Sequence, residues 1–326
     1  MILVRSPLRI TLGGGDTDLP AYYRQHGGFL IAAAIDKYVY VSVLRPFSPG
    51  IYLKYSQIER VATVAEVQHS IMRETLRAMY LRTPQVEITT LADIPAETGL
   101  GSSGSFTTAL IKALYTHHHQ LLSTAELAEL ACEIEINKLG APIGKQDQYS
   151  AAYGGVTCFT YRRTDRVEAT PLKATRDTLN RLEDNLLLFF TGFSRQANTV
   201  LTDQRTRLGQ SESTILANLH LAKTLAQESR ARLESGETQA FGRLLHEQWT
   251  AKKARCPHAT NPTIDGLYQA GLDNGAIGGK LVGAGGGGFL LFYTDDPQRL
   301  RTAMKTINLE EVRFRFDYEG TKVLLS

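Results

Sequence analysis

A glycine-rich stretch near residue 100 has the spacing of a nucleotide-binding turn. In 97-ETGLGSSGS-105, Gly99, Gly101 and Gly104 form the pattern G-x-G-x-x-G, which is typical of the pyrophosphate loop of nicotinamide and flavin enzymes. That loop needs a following strand that ends in an acid about 20 residues on. Here two predicted helices follow with no strand between them, so the dinucleotide interpretation is disfavoured. No Gly-Lys-Ser/Thr closes the turn, which excludes a Walker A loop as well.

The same stretch still has the chemistry of an anion site. Glycines allow backbone N–H groups to face a ligand, and the start of a helix adds roughly half a positive charge. Ser102, Ser103 and Ser105 add hydroxyls that can bond phosphate oxygens or a magnesium ion. The alternative is a serine-rich helix cap that binds nothing, and the stretch alone favours neither interpretation.

Two further glycine clusters, 12–18 and 282–288, stand far from the first in the sequence. Three such loops predict a site where the backbone closes on a phosphate-bearing ligand from several sides. In this order, RSPLRITLGGGDTDL, PAETGLGSSGS and KLVGAGGGGF resemble the three motifs of the GHMP kinases. The resemblance covers essentially the whole chain, and the ordered triple is highly specific.

The resemblance implies transfer of the ATP γ-phosphoryl group to a hydroxyl, with ATP and Mg²⁺ bound. Asp147, in 144-GKQDQYSAAYGG-155, matches the family's catalytic aspartate, which orients or deprotonates the hydroxyl. Arg9 matches the basic residue that pairs with it and offsets charge on the moving phosphoryl group. Taken alone, the acid would be interpreted as a helix cap and the arginine as a surface ion pair. The implied ATP-binding residues are Glu97, Gly99, Leu100, Gly101, Ser102, Ser103, Gly104 and Ser105.

For magnesium, the family uses a serine of the second motif and a glutamate of a following helix. Ser103 and Glu135 are the matching residues, and Ser102 and Glu133 are their nearest alternatives. Mg²⁺ takes oxygen ligands and keeps several waters, so two protein ligands are chemically sufficient. Outside this context, Glu135 would be interpreted as a solvated helix charge.

The resemblance also implies that the acceptor is a sugar. When the sequences are aligned on Arg9, Asp18 matches the aspartate that binds sugar hydroxyls in galactokinase-like members. Gly15 and Asp16 stand where galactokinases have a Glu-His pair. The sequence Gly-Asp-Thr-Asp is also good turn chemistry in its own right. The implied substrate-binding residues are Gly14, Gly15, Asp16, Asp18, Gly154, Gly285 and Gly286.

Within the family, several segments are similar to the bacterial D-glycero-D-manno-heptose 7-phosphate kinases, which phosphorylate the anomeric C1 hydroxyl. They are GGGDTDLPAYY, AAIDKYVYV, HSIMRETL, FFTGFSRQAN and GAIGGKLVGAGGGGFLLF, with Asp16 as an extra carboxylate. One alternative is a fucokinase- or galactokinase-like hexose 1-kinase. Another, from a different class, is a non-catalytic sensor of sugar and ATP. A sensor would be expected to lose second-motif residues or the aspartate, and both are intact here.

A sugar phosphate would need cations at its far end. Most basic side chains of a protein are solvated surface charges, so a basic residue near the motifs is weak support by itself. The candidates, among which the sequence does not choose, are Arg195, Lys252, Lys253, Arg255, Lys145, Arg73 and His69.

The sequence around these motifs contains segments with strand-like and segments with helix-like spacing of apolar residues. Two apolar runs separated by Asp36-Lys37 predict a β-hairpin, and apolar residues at three-and-four spacing predict a helix over 103–122. The resemblance implies an α+β fold of two domains, 1–175 and 176–326, with the active site between them. The first would resemble the second domain of ribosomal protein S5, and the second would be ferredoxin-like.

Composition excludes several classes of partner. A net charge of +3 without a dense basic stripe does not favour nucleic acid. Three cysteines without a C-x-x-C pair indicate neither a zinc site nor a disulfide framework. No apolar run approaches the ~20 residues of a membrane span, and the N-terminus does not resemble a signal peptide. We therefore expect a cytoplasmic protein. The resemblance implies that it binds ATP and a small sugar phosphate, and the choice between monomer and homodimer stays open.

Overall fold

The computed structural model describes residues 1–79, 85–193 and 213–326. The strands are β1 (Ile2–Gly13), β2 (Gly28–Leu44), β3 (Ile51–Lys54), β4 (Ile58–Val61), β5 (Val86–Ala92), β6 (Val156–Tyr161), β7 (Val167–Pro171), β8 (Leu186–Phe190), β9 (Ala276–Leu281), β10 (Phe289–Thr294), β11 (Glu310–Glu311) and β12 (Lys322–Leu325). The α-helices are α1 (Pro20–His26), α2 (Ser70–Ala78), α3 (Ser102–His117), α4 (Thr124–Cys132), α5 (Gln146–Tyr153), α6 (Arg176–Asn185), α7 (Ser213–Glu234), α8 (Thr238–Arg255), α9 (Pro262–Asp273) and α10 (Pro297–Thr306).

The first sheet contains eight strands, mostly from the N-terminal half. Its order is β12-β1-β2-β5-β3-β4, with β6 paired to β2 and β7 paired to β6. The long strand β2 pairs with β6 along its first part and with β5 along its last part. Strand β12 pairs with β1, so the end of the chain returns to this sheet. The domain boundary near residue 175 stays a prediction.

The predicted hairpin at Asp36-Lys37 is wrong, because β2 runs through these residues as one strand. They are extra residues opposite the Pro7–Leu8 step of β1, where the pairing register shifts, and they form a bulge. Asp36 holds the bulge through two 2.9 Å hydrogen bonds with the backbone of Arg315. The polar pair Asp36-Lys37 therefore marks a bulge within β2. Hydrogen bonds to Arg315, which is distant in sequence, stabilise this bulge.

The second sheet has four antiparallel strands in the order β11-β8-β10-β9. Helix α8 packs on β9, and its neighbour α7 packs on β1 and β2, so these two helices join the sheets. One apolar cluster includes Ile10, Ile31, Leu188, Leu245 and Leu291, which come from both halves of the chain. The α+β architecture that we predicted is confirmed, and the two halves share a core.

The structure also bears on two expectations from composition. Cys132 and Cys158 are buried free thiols, and Cys256 is buried as well. Across residues 1–79, 85–193 and 213–326, no helix is both long and apolar enough to cross a bilayer.

Candidate active site

A cleft of about 1080 Å³ opens between the two halves of the chain. It collects most of the residues that the motifs predict, although they come from distant parts of the sequence. The predicted residues that line it are Arg9, Gly14, Gly15, Asp16, Asp18, Glu97, Gly99, Gly101, Ser102, Ser103, Glu135 and Asp147. The predicted residues that lie outside its lining are Leu100, Gly104, Ser105, Gly154, Gly285 and Gly286.

Residues 97–101, which we call the phosphate loop, lead directly into α3. Gly99 and Gly101 have φ values of 87° and 78°, in the left-handed region that favours glycine. Gly101 is the N-cap of this 16-residue helix, whose first N–H groups have no partner within the helix. These N–H groups and the helix dipole favour a bound phosphate, and Ser102 and Ser103 line the cleft beside them.

The third glycine motif packs against the phosphate loop. A Cβ atom on Gly99 would lie 2.6 Å from the carbonyl oxygen of Val282, and one on Gly288 would lie 2.2 Å from that of Thr98. No side chain tolerates such distances, so glycine is needed where the two backbones touch. The third motif therefore supports the phosphate loop.

Three other predicted glycines, which do not line the cleft, lie in close contact with neighbouring backbone segments. A Cβ atom on Gly285 would lie 2.6 Å from the Cα of Ala259, and the Gly286 N–H donates to the carbonyl of Ala259 at 2.8 Å. Gly154 ends α5, and a Cβ atom there would lie 2.5 Å from the backbone nitrogen of Gly320. These glycines allow close packing of segments around the cleft.

Leu100 and Ser105 form hydrogen bonds that connect the second motif to β1. The carbonyl of Leu100 accepts a hydrogen bond of 2.9 Å from the Arg9 N–H, which ties the phosphate loop to β1. Ser105 is fully buried, and its hydroxyl donates to the carbonyl of Pro7 at 2.6 Å. The side chain of Ser105 is therefore directed into the protein, away from the cleft.

Arg9 and Asp147 form an ion pair in the cleft. Nε and Nη2 of the arginine lie 2.8 and 2.7 Å from Oδ1 of the aspartate, and Nη1 donates to the carbonyl of Gly99 at 2.6 Å. The amide of Gln146 also donates to Oδ1, at 3.1 Å. Every hydrogen bond that the described residues make to this carboxylate ends on Oδ1. Oδ2 is thus available to a ligand.

Two glycines set the spacing between the phosphate loop and this ion pair. A Cβ atom on Gly104 would lie 2.7 Å from the Cβ of Asp147. One on Gly101 would lie 3.1 Å from Cγ of Arg9 and 3.3 Å from Cγ of Asp147. The first turns of α3 and α5 are therefore in direct contact, and the phosphate loop adjoins the acid.

Ser103 and Glu135 are in contact, as the predicted magnesium site requires. The serine hydroxyl donates to Oε2 of the glutamate, and the Gln148 amide donates to Oε1 at 2.9 Å. Burial raises the pKa of the Glu135 carboxyl above its ordinary value. Glu133, the alternative, contacts Asn137 and lies outside the cleft lining. A turn of π-helix continues α4 and carries both glutamates.

Residues 13–18, which we call the acceptor loop, bring two more carboxylates into the cleft. Oδ2 of Asp18 accepts a hydrogen bond of 2.9 Å from the Gln146 N–H, next to the catalytic candidate in sequence. Asp16 has a φ of 73°, and its carboxylate lies 2.5 Å from Nη2 of Arg255. Burial raises the pKa of Asp18 from 3.8 to about 7, and nearby acids add to the shift.

This shift predicts a pH-dependent stability. Between pH 3.8 and about 7, folded Asp18 keeps a proton that the unfolded chain has released, so its stabilising contribution is lost as the pH rises through this window. Asp18→Asn removes the titration. Its free energy of unfolding, relative to the original chain, should be higher at pH 8 than at pH 4 by about 1–4 kcal/mol, measured by denaturant titration. A difference that stays constant with pH would contradict this.

Three of the predicted cations are engaged outside the cleft. Nζ of Lys145 lies 2.9 Å from Glu129, and Nζ of Lys253 lies 3.1 Å from Asp265. Arg73 donates to a backbone carbonyl of its own segment at 2.7 Å. These three side chains stabilise the segments around their own partners.

Other basic residues do face the cleft. Lys252 and Arg255, from the last turn of α8, line it, whereas Arg195 lies outside the described residues. Lys280 of β9 lines the cleft too, and sequence reasoning missed it. The available signal was one charged residue within an otherwise apolar and glycine-rich strand, 276-AIGGKL-281.

His69 belongs to an aromatic group in the lining of the cleft. Its ring lies 4.8 Å from that of Tyr55 and 5.2 Å from that of Phe106, between centroids, and all three residues line the cleft. Burial lowers the pKa of His69, which favours the neutral ring. A neutral aromatic group suits a flat base better than a phosphate.

Comparison with known proteins agrees with this geometry. The profile of the GHMP kinases N terminal domain matches residues 62–155, and that of the GHMP kinases C terminal domain matches residues 229–309. Together the two matches cover more than half of the chain.

Individual relatives match over nearly all of this chain. The D-glycero-alpha-D-manno-heptose 7-phosphate kinase of Campylobacter jejuni is 28% identical over 335 residues, which cover 98% of each chain. The L-fucokinase/L-fucose-1-P guanylyltransferase of Bacteroides fragilis is 27% identical, over 96% of this chain and 37% of that longer protein. The crystal structure of a D-glycero-D-manno-heptose 1-phosphate kinase from Bacteroides thetaiotaomicron has a TM-score of 0.83 and 26% identity, over 100% of this chain and 99% of that one. With both domain profiles and the full-length fold in agreement, this chain belongs to the GHMP kinase family and is an ATP-dependent kinase.

Proposed function

We propose that the chain is a sugar kinase that transfers the ATP γ-phosphoryl group to the anomeric C1 hydroxyl of D-glycero-D-manno-heptose 7-phosphate. The product would be the 1,7-bisphosphate, an intermediate for nucleotide-activated heptose. The observation that carries this proposal is the direct contact between the phosphate loop and the Arg9–Asp147 pair, beside the acidic acceptor loop. The full-length similarity to the C. jejuni heptose 7-phosphate kinase supports the acceptor.

In this proposal Asp147 accepts the proton of the acceptor hydroxyl. Arg9 fixes Oδ1, and Oδ2 faces the substrate. As the C1 oxygen bonds to the γ-phosphorus, the bond from that phosphorus to the ADP oxygen breaks, and the hydroxyl proton passes to the carboxylate. The guanidinium of Arg9 stabilises charge on the moving phosphoryl group, because its own position is fixed by Gly99 and Asp147.

The donor set at Ser103 and Glu135 fits a magnesium ion. A hydroxyl and a carboxylate are oxygen ligands of the kind Mg²⁺ prefers, and they are already in contact. When bound there, the ion would neutralise charge on the ATP phosphates. The described ranges contain no group of three or more His, Cys, Asp or Glu side chains that could hold a metal.

Two parts of the cleft lining suit the two substrates. The aromatic group of Tyr55, His69 and Phe106 provides flat apolar surface for adenine. The acceptor loop provides backbone groups and the carboxyl of Asp18 for sugar hydroxyls. The reacting hydroxyl would lie between them, next to Asp147.

The alternative in the same class is a hexose 1-kinase, which the similarity to the B. fragilis fucokinase favours. A non-catalytic sensor has less support, because the Arg9–Asp147 pair and the phosphate loop are intact. An ATP-consuming reaction on a sugar phosphate, in a protein with buried free thiols, is consistent with the cytoplasmic location predicted above.

A substrate panel tests the acceptor. The purified protein is incubated with Mg-ATP and either D-glycero-D-manno-heptose 7-phosphate, the free heptose, L-fucose or D-galactose, and ADP release is measured. We expect turnover with the heptose 7-phosphate, and a new anomeric phosphate signal in the ³¹P NMR spectrum of the product. Turnover with a free hexose and none with the heptose 7-phosphate would favour the alternative. ATP consumption with no sugar dependence would contradict both.

A further inference from the structure

Three basic side chains line the wall of the cleft that the C-terminal half provides. Lys252 and Arg255 come from α8, and Lys280 comes from β9. Lys280 and Arg255 are almost fully buried, with 8% and 4% of their surface exposed. We call these three residues the basic wall. Buried cations are rare unless an anion compensates their charge.

The salt bridges among the described cleft residues involve the arginines and leave out the two lysines of the basic wall. Arg255 pairs with Asp16, and the neighbouring Arg9 pairs with Asp147. The Lys252 ammonium donates to a backbone carbonyl, and the Lys280 ammonium makes one long contact of 3.4 Å with the Gln248 side chain. Among the described residues, no carboxylate forms a salt bridge with either lysine. Within residues 1–79, 85–193 and 213–326, these two ammonium groups of the cleft thus have no carboxylate partner.

Burial and neighbouring charges act on the pKa values of both lysines. Burial lowers the pKa of Lys280 from 10.5 to about 7; the nearby Lys252, Arg9 and Arg255 lower it further, whereas Asp16 raises it. Burial also lowers the pKa of Lys252, and Asp16 again opposes the shift. A phosphate dianion bound beside the lysines would raise both pKa values, because a nearby negative charge favours the charged form of lysine.

The basic wall adjoins the acceptor loop. Arg255 is bound to Asp16 of that loop. The side chain of Gln248, which contacts Lys280, also donates to the carbonyl of Leu12, directly before the loop. The proposed magnesium ligands lie instead at the start of α3. The wall and the acceptor loop are therefore adjoining parts of the cleft lining.

We propose that Lys280, together with Lys252 and Arg255, binds the phosphate group that the acceptor sugar already carries. This inference rests on the proposed function, since it identifies the part of the site that distinguishes a sugar phosphate from a free sugar. Burial makes the site selective: a phosphate dianion compensates the lysines, whereas a hydroxyl at that position leaves them unbalanced. The γ-phosphate of ATP is the other phosphate that could reach the wall, and the test separates the two.

Binding is measured by titration calorimetry in three variants, Lys280→Gln, Lys280→Arg and, as a control, Lys305→Gln, which changes an exposed lysine of α10. The probes are D-glycero-D-manno-heptose 7-phosphate, the free heptose and a non-hydrolysable ATP analogue. Lys280→Gln should raise the Kd of the sugar phosphate about ten- to a hundredfold, the loss of one charge-assisted hydrogen bond, and leave the other two within about twofold. Lys280→Arg should retain most of the affinity, and the control should change nothing.

The possible outcomes separate this inference from the proposed function. A weaker Kd for the ATP analogue alone would assign the wall to ATP and overturn the inference, as would an unchanged Kd for the sugar phosphate or no binding of it to the original chain. If the original chain binds the sugar phosphate in a Lys280-dependent way but does not phosphorylate it, the inference stands and the proposed reaction fails. Thermal unfolding of each variant verifies that it is folded.

Discussion

Replacing Asp147 with Asn is expected to lower kcat by ~10²–10⁴-fold and to leave the Kd for ATP nearly unchanged. The amide has the size of the carboxylate, and its oxygen can still accept from Arg9. Its NH₂ group then takes the place of Oδ2, so the acceptor hydroxyl loses the atom that receives its proton. ADP release under saturating substrates measures kcat, and calorimetry measures ATP binding.

A second aspartate provides a matched control. Asp177 is the second residue of α6, as Asp147 is of α5, and it is exposed. Asp177→Asn removes the same charge from the same helical position and should leave kcat unchanged. If the two variants have equal activity, Asp147 is only a helix-terminal acid, which is the alternative that the sequence left open.

Replacing Gly104 with Ala is expected to impair both activity and stability. The added Cβ would lie 2.7 Å from the Cβ of Asp147 and 2.8 Å from the backbone nitrogen of Gln148, so α5 has to move away from α3. A shift of about 1 Å at a catalytic group is typically worth ~10²-fold in kcat. Overpacking of this kind lowers the free energy of unfolding by about 1–3 kcal/mol. Steady-state kinetics and denaturant unfolding measure the two effects.

The control for this substitution is Gly266→Ala in α9. A Cβ atom on Gly266 would meet nothing within 4 Å, so only the helix propensity changes. The free energy of unfolding should rise by about 0.5–1 kcal/mol, and kcat should stay the same. If Gly104→Ala behaved like this control, the contact between the phosphate loop and Asp147 would not govern the reaction.

The residues most accessible to prediction were those whose type is dictated by chemistry or by backbone conformation. Gly99 and Gly101 adopt positive φ in the loop before α3, and Arg9 and Asp147 form an ion pair. Such requirements leave a pattern in the sequence itself. The structure brings these four residues into one cleft, and their roles in catalysis stay predictions.

Features that depend on contacts between residues distant in sequence could not be predicted from such patterns. The bulge at Asp36 forms because Arg315, 279 residues away, bonds to it, and the two apolar runs carry no sign of that partner. The buried position of Lys280 follows from the packing of β9 against α8, which a glycine-rich motif does not reveal. The π-helical turn at 133–138 interrupts a helical period that the sequence continues without a break.

The most direct test of the account is a crystal structure with a non-hydrolysable ATP analogue, Mg²⁺ and D-glycero-D-manno-heptose 7-phosphate. We predict that the triphosphate contacts the phosphate loop and that the anomeric hydroxyl donates to Oδ2 of Asp147, with its oxygen directed at the γ-phosphorus. A sugar bound with another hydroxyl at this carboxylate, or a triphosphate bound away from the phosphate loop, would contradict it.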